Sequence, residues 1–253
     1  MSARRALVTG GSRGIGAAVA ATLAREGYRV VVHCRSDVTA AKRVVADLSG
    51  TGHAVVSADI ADPGSVEAMV SAAVSALGGL DVLINNAAIY DDHRIDETTY
   101  AEWQAAWARM IGVNLVGTAN VTWCFVDHVR KRAEGPRGAR IITVGSRGAY
   151  RGEPDAPAYG ASKAGEHAFT QSLAVALARY GISVAGVAPG FVRTDLTRSL
   201  LEGPAGVAIR AQSPFNRAGE PEEVAAAVAW LASPAAEWAS GTILDLNGAS
   251  YLR

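Results

Sequence analysis

Cysteine is almost missing from this chain: only Cys34 and Cys124 occur, and no short spacing links them. That argues against a disulfide framework and against a cysteine-ligated zinc site. The histidines, His33, His53, His93, His128 and His167, are equally scattered, without metal-ligand spacing, so no metal is expected. An excess of charge is missing too, because Lys plus Arg and Asp plus Glu both total 24. No global field therefore draws in nucleic acid or an anionic membrane. No apolar run reaches membrane-spanning length, and Ala6-Leu7-Val8 is too short for a signal core. The expectation is a soluble, unprocessed protein in a reducing cytoplasm. Linker tracts, internal repeats and low-complexity segments are absent as well, which favours a single domain over residues 1–253.

What is present alternates. Short apolar, β-branched runs occupy Arg5 to Thr9, Arg29 to Cys34, His53 to Ser57, Val82 to Asn85, Arg140 to Val144, Ser183 to Ala188 and Thr242 to Leu246. Helical patterns separate them: Ile15 to Glu26, Val38 to Leu48, Ser65 to Leu77, Tyr100 to Arg132 with a break near Gly112, Tyr159 to Tyr180, and Glu222 to Ala232. Strands alternating with helices predict an α/β fold, a doubly wound parallel sheet of about seven strands with helices on both faces. Two stretches depart from the scheme, Tyr90 to Thr99 and Phe191 to Gly219. Both follow strand ends, where open parallel sheets bind ligands, so both are expected to face substrate.

The first strand runs into Thr9-Gly10-Gly11-Ser12-Arg13-Gly14-Ile15-Gly16, which opens a helix. Glycines there let backbone N–H groups and the helix N-terminus approach a pyrophosphate. The second strand ends in Cys34 and Arg35. An acid at that point would hold the ribose 2′-OH of NAD, whereas Arg35 together with Arg13 suits the 2′-phosphate of NADP. Two alternatives stay open at this point: solvated surface arginines, and Asp37 as an NAD acid, although its place after Ser36 fits a helix cap better. Asp59-Ile60 and Asn85-Asn86-Ala87-Ala88 follow the third and fourth strands on the same edge, where adenine and ribose would lie, or serve as turns.

Tyr159 and Lys163 stand four residues apart on a predicted helix and share one face. A phenol has a reference pKa of about 10, and a neighbouring ammonium favours its ionised form. Ser146 ends the fifth strand, on the same edge, and can hydrogen-bond a substrate oxygen. Arg147, Arg151, Glu153 and Asp155 lie between Ser146 and Tyr159. They either meet a polar substrate or pair with one another at the rim. His93, in the first variable loop, is a further candidate for substrate contact.

Together with Asn114, and with Pro189-Gly190 followed by Thr194, these residues resemble the classical, single-domain branch of the short-chain dehydrogenase/reductase family. The resemblance spans nearly the whole chain. It implies a catalytic tetrad of Asn114, Ser146, Tyr159 and Lys163, with Lys163 also on the nicotinamide ribose and Asn114 organising a proton relay. It further implies that Asp59 contacts adenine, that Gly190, Val192 and Thr194 border the nicotinamide amide, and that the protein is a homotetramer or dimer packed through its long helices. The implied activity is NADP(H)-dependent hydride transfer to a carbonyl or from a secondary alcohol. Similarity to bacterial 3-oxoacyl-carrier-protein reductases implies a 3-oxoacyl thioester; sugar, polyol, steroid and specialised-metabolite ketones are the alternatives, and a non-catalytic NADP(H) sensor is a minor one. Ala88 and Ala188 stand where the family usually has Gly and Asn, and the C-terminal strand reads Leu244-Asp245-Leu246-Asn247-Gly248 in place of the usual Asp-Gly-Gly ending.

Overall fold

The computed structural model describes residues 3–253. Seven strands, β1 (Arg5–Val8), β2 (Arg29–Cys34), β3 (Ala54–Ser57), β4 (Val82–Asn85), β5 (Arg140–Val144), β6 (Ser183–Pro189) and β7 (Ile243–Leu246), form one sheet in the order β3-β2-β1-β4-β5-β6-β7. Every pairing is parallel, as the alternation of strand and helix requires. Strand order reverses between β1 and β4, and the crevice at that point lies beyond the strands' carboxyl ends.

Period-two alternation divides the strand side chains between two cores. Ala6, Val8, Val30, Val32 and Ile84 face one side, under α1 (Gly14–Arg25) and α10 (Pro221–Ala232). Leu7, Val31, Leu83, Ile141 and Val184 face the other, under α3 (Pro63–Leu77), α5 (Thr118–Lys131) and α7 (Pro157–Leu177). The near-continuous Val-Ile-Leu runs of β1, β2 and β4 are what a strand covered on both faces demands.

The remaining α-helices are α2 (Val38–Ala46), α4 (Tyr100–Met110), α6 (Gly148–Arg151), α8 (Arg198–Glu202) and α9 (Gly206–Arg210). Asp37 is the N-cap of α2 and accepts a hydrogen bond from Ala40 N at 2.9 Å, so its carboxylate is committed to the helix. Thr99 and Glu102 close α4 with a reciprocal capping box. The break expected near Gly112 is a change of helical pitch instead of an interruption. Ile111–Gly117 forms a π-helical segment between α4 and α5, and Asn114 lies inside it. Such widened turns concentrate at functional sites because they turn a backbone or side-chain group out of register. Among the described residues no helix is long and apolar enough to cross a membrane. Val116, Trp123 and Val175 nevertheless leave apolar surface exposed along the long helices.

One ion cluster ties the sheet's amino-terminal edge to α5. Asp81 Oδ2 accepts from Arg5 N and Arg5 Nε at 2.9 Å each, and Asp81 Oδ1 accepts from Arg132 Nη1 at 2.6 Å. Burial alone would lift the Asp81 carboxyl, but the Arg5 hydrogen bonds and the Arg5 and Arg132 charges outweigh it and hold the pKa below the ordinary aspartate value. Replacing Asp81 with Ala strands two partly buried guanidinium groups and is expected to cost about 2–3 kcal/mol at pH 7, measured by urea unfolding. Because the folded pKa is depressed, the contribution is complete above about pH 4 and disappears as pH falls through the folded value. The two proteins should therefore converge in stability on acidification; equal stability at pH 7 would remove the cluster's assigned role.

Candidate active site

Four strand ends build the side of the site that the glycine turn occupies. The hydroxyl of Thr9 accepts from Asn86 N at 2.9 Å and Ala87 N at 3.0 Å, while Asn86 Nδ2 donates to the Thr9 and Gly10 carbonyls. Asn86 thus fixes the glycine turn to the end of β4. Gly10 and Gly14 have φ of 62° and 54°, and a Cβ on Gly16 would stand 2.3 Å from the Gly10 carbonyl oxygen. Only glycine fits at Gly16. From β2, the Gly10 N–H donates to His33 Nδ1 at 3.1 Å, and the other ring nitrogen of His33 meets the Ala58 carbonyl at 3.1 Å. Burial lowers the His33 pKa, and the neutral ring accepts at one nitrogen and donates at the other.

This turn suits an anionic ligand. No side chain caps α1, so its first N–H groups are left for another partner. Ser12, Arg13 and Ile15 line the turn's outer part, Arg35 follows β2, and both arginines are exposed without an ion pair among the described residues. Asp59 accepts from Ala61 N at 2.9 Å and closes its own turn, with Ile60 buried next to it. On the far side, a Cβ on Gly14 would touch the Thr194 methyl, placing the segment after β6 against the turn. Gly190 N donates to Leu246 O at 3.1 Å, and Val192 is buried in a bridge to Gly219, so Pro189 to Thr194 is held along its length. A cavity of about 940 Å³ opens here, lined by Gly14, Thr194 and the side chains of Arg193, Arg198 and Arg210.

The second cluster sits at the ends of β5 and α7. Ser146 follows β5 and its Oγ accepts from Gly148 N at 3.0 Å. Asn114 is fully buried; its side chain accepts from Ile89 N at 2.9 Å and donates to Ile89 O at 3.0 Å and to Ser162 Oγ at 3.1 Å. The π segment thereby clamps the chain leaving β4 to α7. Lys163 Nζ donates to Val144 O at 3.0 Å and to Glu166 Oε2 at 2.8 Å, and it lies 5.8 Å from the centre of the Tyr159 ring. Tyr90 meets Tyr159 edge-on at 5.1 Å.

Electrostatics here differ from the simple expectation that Lys163 brings the phenol down. Burial raises the Tyr159 pKa more than the Lys163 charge and the Ser146 hydroxyl lower it, and Glu166 and Glu153 raise it further. The phenol therefore stands above its ordinary value and keeps its proton at neutral pH. Burial also opposes the Lys163 ammonium, yet the charge of Glu166, Tyr159 and the hydrogen bond to Glu166 leave its pKa raised.

His93 is not free to meet substrate. It is buried, its Nδ1 pairs with Asp91 O at 2.8 Å, and its Nε2 accepts from Ala158 N at 3.0 Å at the start of α7. Because no side chain of α7's own N-cap does that work, His93 caps the helix carrying Tyr159. The four residues between Ser146 and Tyr159 do not pair with one another. Arg147 bonds Ser250 Oγ at 2.7 Å and lies over Phe191, Arg151 bonds Gln212, Asp155 pairs with Arg94, and Glu153 packs against Gly148. Glu166 and the scaffolding role of His33 escaped the sequence reading. Each left a signal: a polar residue at the end of a valine run, and an acid three residues after Lys163 in an otherwise apolar helix stretch.

Comparison with known proteins agrees with this geometry. A family model described as enoyl-(acyl carrier protein) reductase matches residues 10–248. The chain is 36% identical over 247 residues to a 3-oxoacyl-[acyl-carrier-protein] reductase of Vibrio cholerae, covering 98% of this chain and 97% of that protein. It is also 36% identical to an acetoacetyl-CoA reductase of Shinella zoogloeoides, over 98% of both. Among solved structures, a dehydrogenase/reductase of Sinorhizobium meliloti aligns with a TM-score of 0.90 at 34% identity, over 100% of this chain and 96% of that one. A short chain dehydrogenase of Burkholderia cenocepacia in complex with NADP aligns with a TM-score of 0.86 at 34% identity, over 98% and 97%. The chain belongs to the short-chain dehydrogenase/reductase family and is an oxidoreductase.

Arg35 supplies the test of cofactor selection. Arg35→Ala is expected to weaken NADPH about tenfold, the worth of one charge-assisted hydrogen bond pair, while NADH changes by less than about threefold. Titration of the dihydronicotinamide fluorescence measures both; equal losses would take the 2′-phosphate away from Arg35.

Proposed function

We propose that this protein is an NADPH-dependent reductase of 3-oxoacyl thioesters. The observation that carries the chemistry is the Tyr159–Lys163 couple beside Ser146, at the sheet edge that also holds an uncapped, arginine-flanked glycine turn. The substrate class rests on the names of the relatives, two of which reduce 3-oxoacyl or acetoacetyl thioesters.

Gly10, Ser12, Gly14, Ile15 and Gly16 hold the pyrophosphate, Arg13 and Arg35 the 2′-phosphate, Asp59 and Ile60 the adenine, and Asn86 and Ala87 the adjacent ribose. Pro189, Gly190, Val192 and Thr194 border the nicotinamide amide. When bound, NADPH supplies the hydride. Ser146 donates a hydrogen bond to the ketone oxygen, and Tyr159 gives its proton to that oxygen as the alcohol forms. Lys163 orients the phenol, binds the nicotinamide ribose and steadies the phenolate left behind. Asn114 holds the π segment and orders the route by which Tyr159 regains its proton. The loop of residues 191–219, with Arg147 packed over its Phe191, borders the acyl chain in this reading. The apolar surface of Val116, Trp123 and Val175 supports self-association through the long helices, to a dimer or tetramer.

Turnover is measured with NADPH against acetoacetyl thioesters, sugar ketones and steroid ketones, on protein whose assembled mass is fixed by light scattering as a multiple of 26.1 kDa. Thioester reduction is expected, and Tyr159→Phe should reduce it at least about a hundredfold with NADPH binding retained. Reduction of only the other ketones would keep the mechanism and discard the acyl substrate. Tight NADPH binding without turnover on any ketone would leave a sensor, and near-normal turnover in Tyr159→Phe would defeat the mechanism.

A further inference from the structure

Glu166 stands three residues after Lys163 on α7, and both side chains are 2% exposed. The lysine is held on two sides, by Glu166 Oε2 at 2.8 Å and by the Val144 carbonyl at 3.0 Å. Glu166 Oε1 in turn faces Thr118 Oγ1, the first residue of α5, at 3.5 Å. Burying a carboxylate is costly unless it is paired, and the energy recovered from a buried ion pair seldom exceeds that cost. An apolar side chain would fill this place in the helix without either term. The acid therefore has work beyond packing, and its only ionic contact among the described residues is Lys163.

What that contact does follows from the lysine's neighbour. An unopposed ammonium beside Tyr159 favours the phenolate, whereas an ammonium shared with a carboxylate exerts a weaker pull. We propose that Glu166 is a positioning residue: it pins Lys163 against the Val144 carbonyl and offsets its charge, so that the Tyr159 hydroxyl keeps its proton and remains a competent donor through mildly alkaline pH. This rests on the reading of Tyr159 as the proton donor.

The groups facing the couple come from three neighbouring elements besides α7 itself. α7 contributes Lys163, Glu166 and His167; the approach to α7 contributes Glu153; Tyr90 comes from the loop after β4; and α5 offers the neutral Thr118 hydroxyl. His167 is neutral, because burial and the charges of Lys163 and Arg253 push its pKa down to about 4. Burial pushes the Glu166 carboxyl up to about 7, against the pull of Lys163. The offset is accordingly strongest above neutrality, where Glu166 is ionised, and fades on acidification, where Tyr159 is protonated in any case.

Glu166→Gln keeps the shape and removes the charge. In kcat/KM profiles the falling alkaline limb of ketone reduction and the rising limb of alcohol oxidation both report the Tyr159 proton. Both limbs are expected to move to lower pH together, by on the order of one unit, while Glu166→Asp restores them towards the wild-type position. A purely structural residue would change the amplitudes and leave both limbs in place, and that outcome overturns the proposal. If Glu166→Gln turns over too slowly to profile, the ultraviolet phenolate titration, taken as the difference between each protein and its Tyr159→Phe partner, reads the same proton without catalysis. A downward shift supports the proposal and an unmoved titration overturns it. Glu166→Leu replaces Glu166→Gln in both measurements if the latter does not fold, and failure of both to fold assigns Glu166 to the fold alone and also overturns it. Unmoved limbs in a protein that Tyr159→Phe inactivates reject only this inference, whereas an active Tyr159→Phe rejects the reading beneath it.

Discussion

Seven strands running the same way put all seven carboxyl ends on one edge, and the candidate site depends on that alignment. Six of those ends deliver one part each: the glycine turn after β1, Arg35 after β2, Asp59 after β3, Asn86 after β4, Ser146 after β5 and Thr194 after β6. The parts are locked to each other as well as to their strands. Thr9, Asn86 and His33 bond across three strands to the same turn, and Asn114 ties the chain leaving β4 to α7.

The price of that rigidity is buried charge. Lys163 and Glu166 are almost fully buried with Tyr159 half-buried beside them, and burial works against the charged form of each. In the mechanism we propose, the local balance, an ammonium shared between a phenol and a carboxylate, sets where the acid–base couple works. Nearby, His167 sits against Gly145 with neither ring nitrogen partnered, and its neutral ring adds no competing charge.

Much of this was legible in the sequence because it rests on local rules. Valine-rich runs punctuated by helices fix the sheet, and the spacing of Gly10, Gly14 and Gly16 fixes the turn. Asp37 after Ser36 reads as a cap, which the structure bears out. The rest depends on what the fold brings near. His93 looked like a loop residue open to substrate, yet the chain folds it under α7 as a cap. Gly112 looked like a helix break, but the backbone widens into a π segment, because the inserted register turns Asn114 inward. Arg147, Arg151, Glu153 and Asp155 lie close in sequence, and either substrate contact or local pairing was open for them; tertiary partners, Ser250, Gln212 and Arg94 among them, exclude the local pairing. The direction of the Tyr159 shift was likewise hidden, since burial is not written in a Tyr-x-x-x-Lys spacing.

The central claim is that hydride passes from a nicotinamide bound at the glycine turn to a ketone carbon while Tyr159 supplies the proton to its oxygen. It is tested most directly by following deuterium from NADPH labelled at the transferring C4 position during reduction of an acetoacetyl thioester, with mass spectrometry of the hydroxy product. The account predicts the label on the new carbinol carbon, with none arriving there when unlabelled cofactor is used in deuterated water. Reduction that leaves the label on the cofactor, or that draws the carbinol hydrogen from solvent, would contradict it.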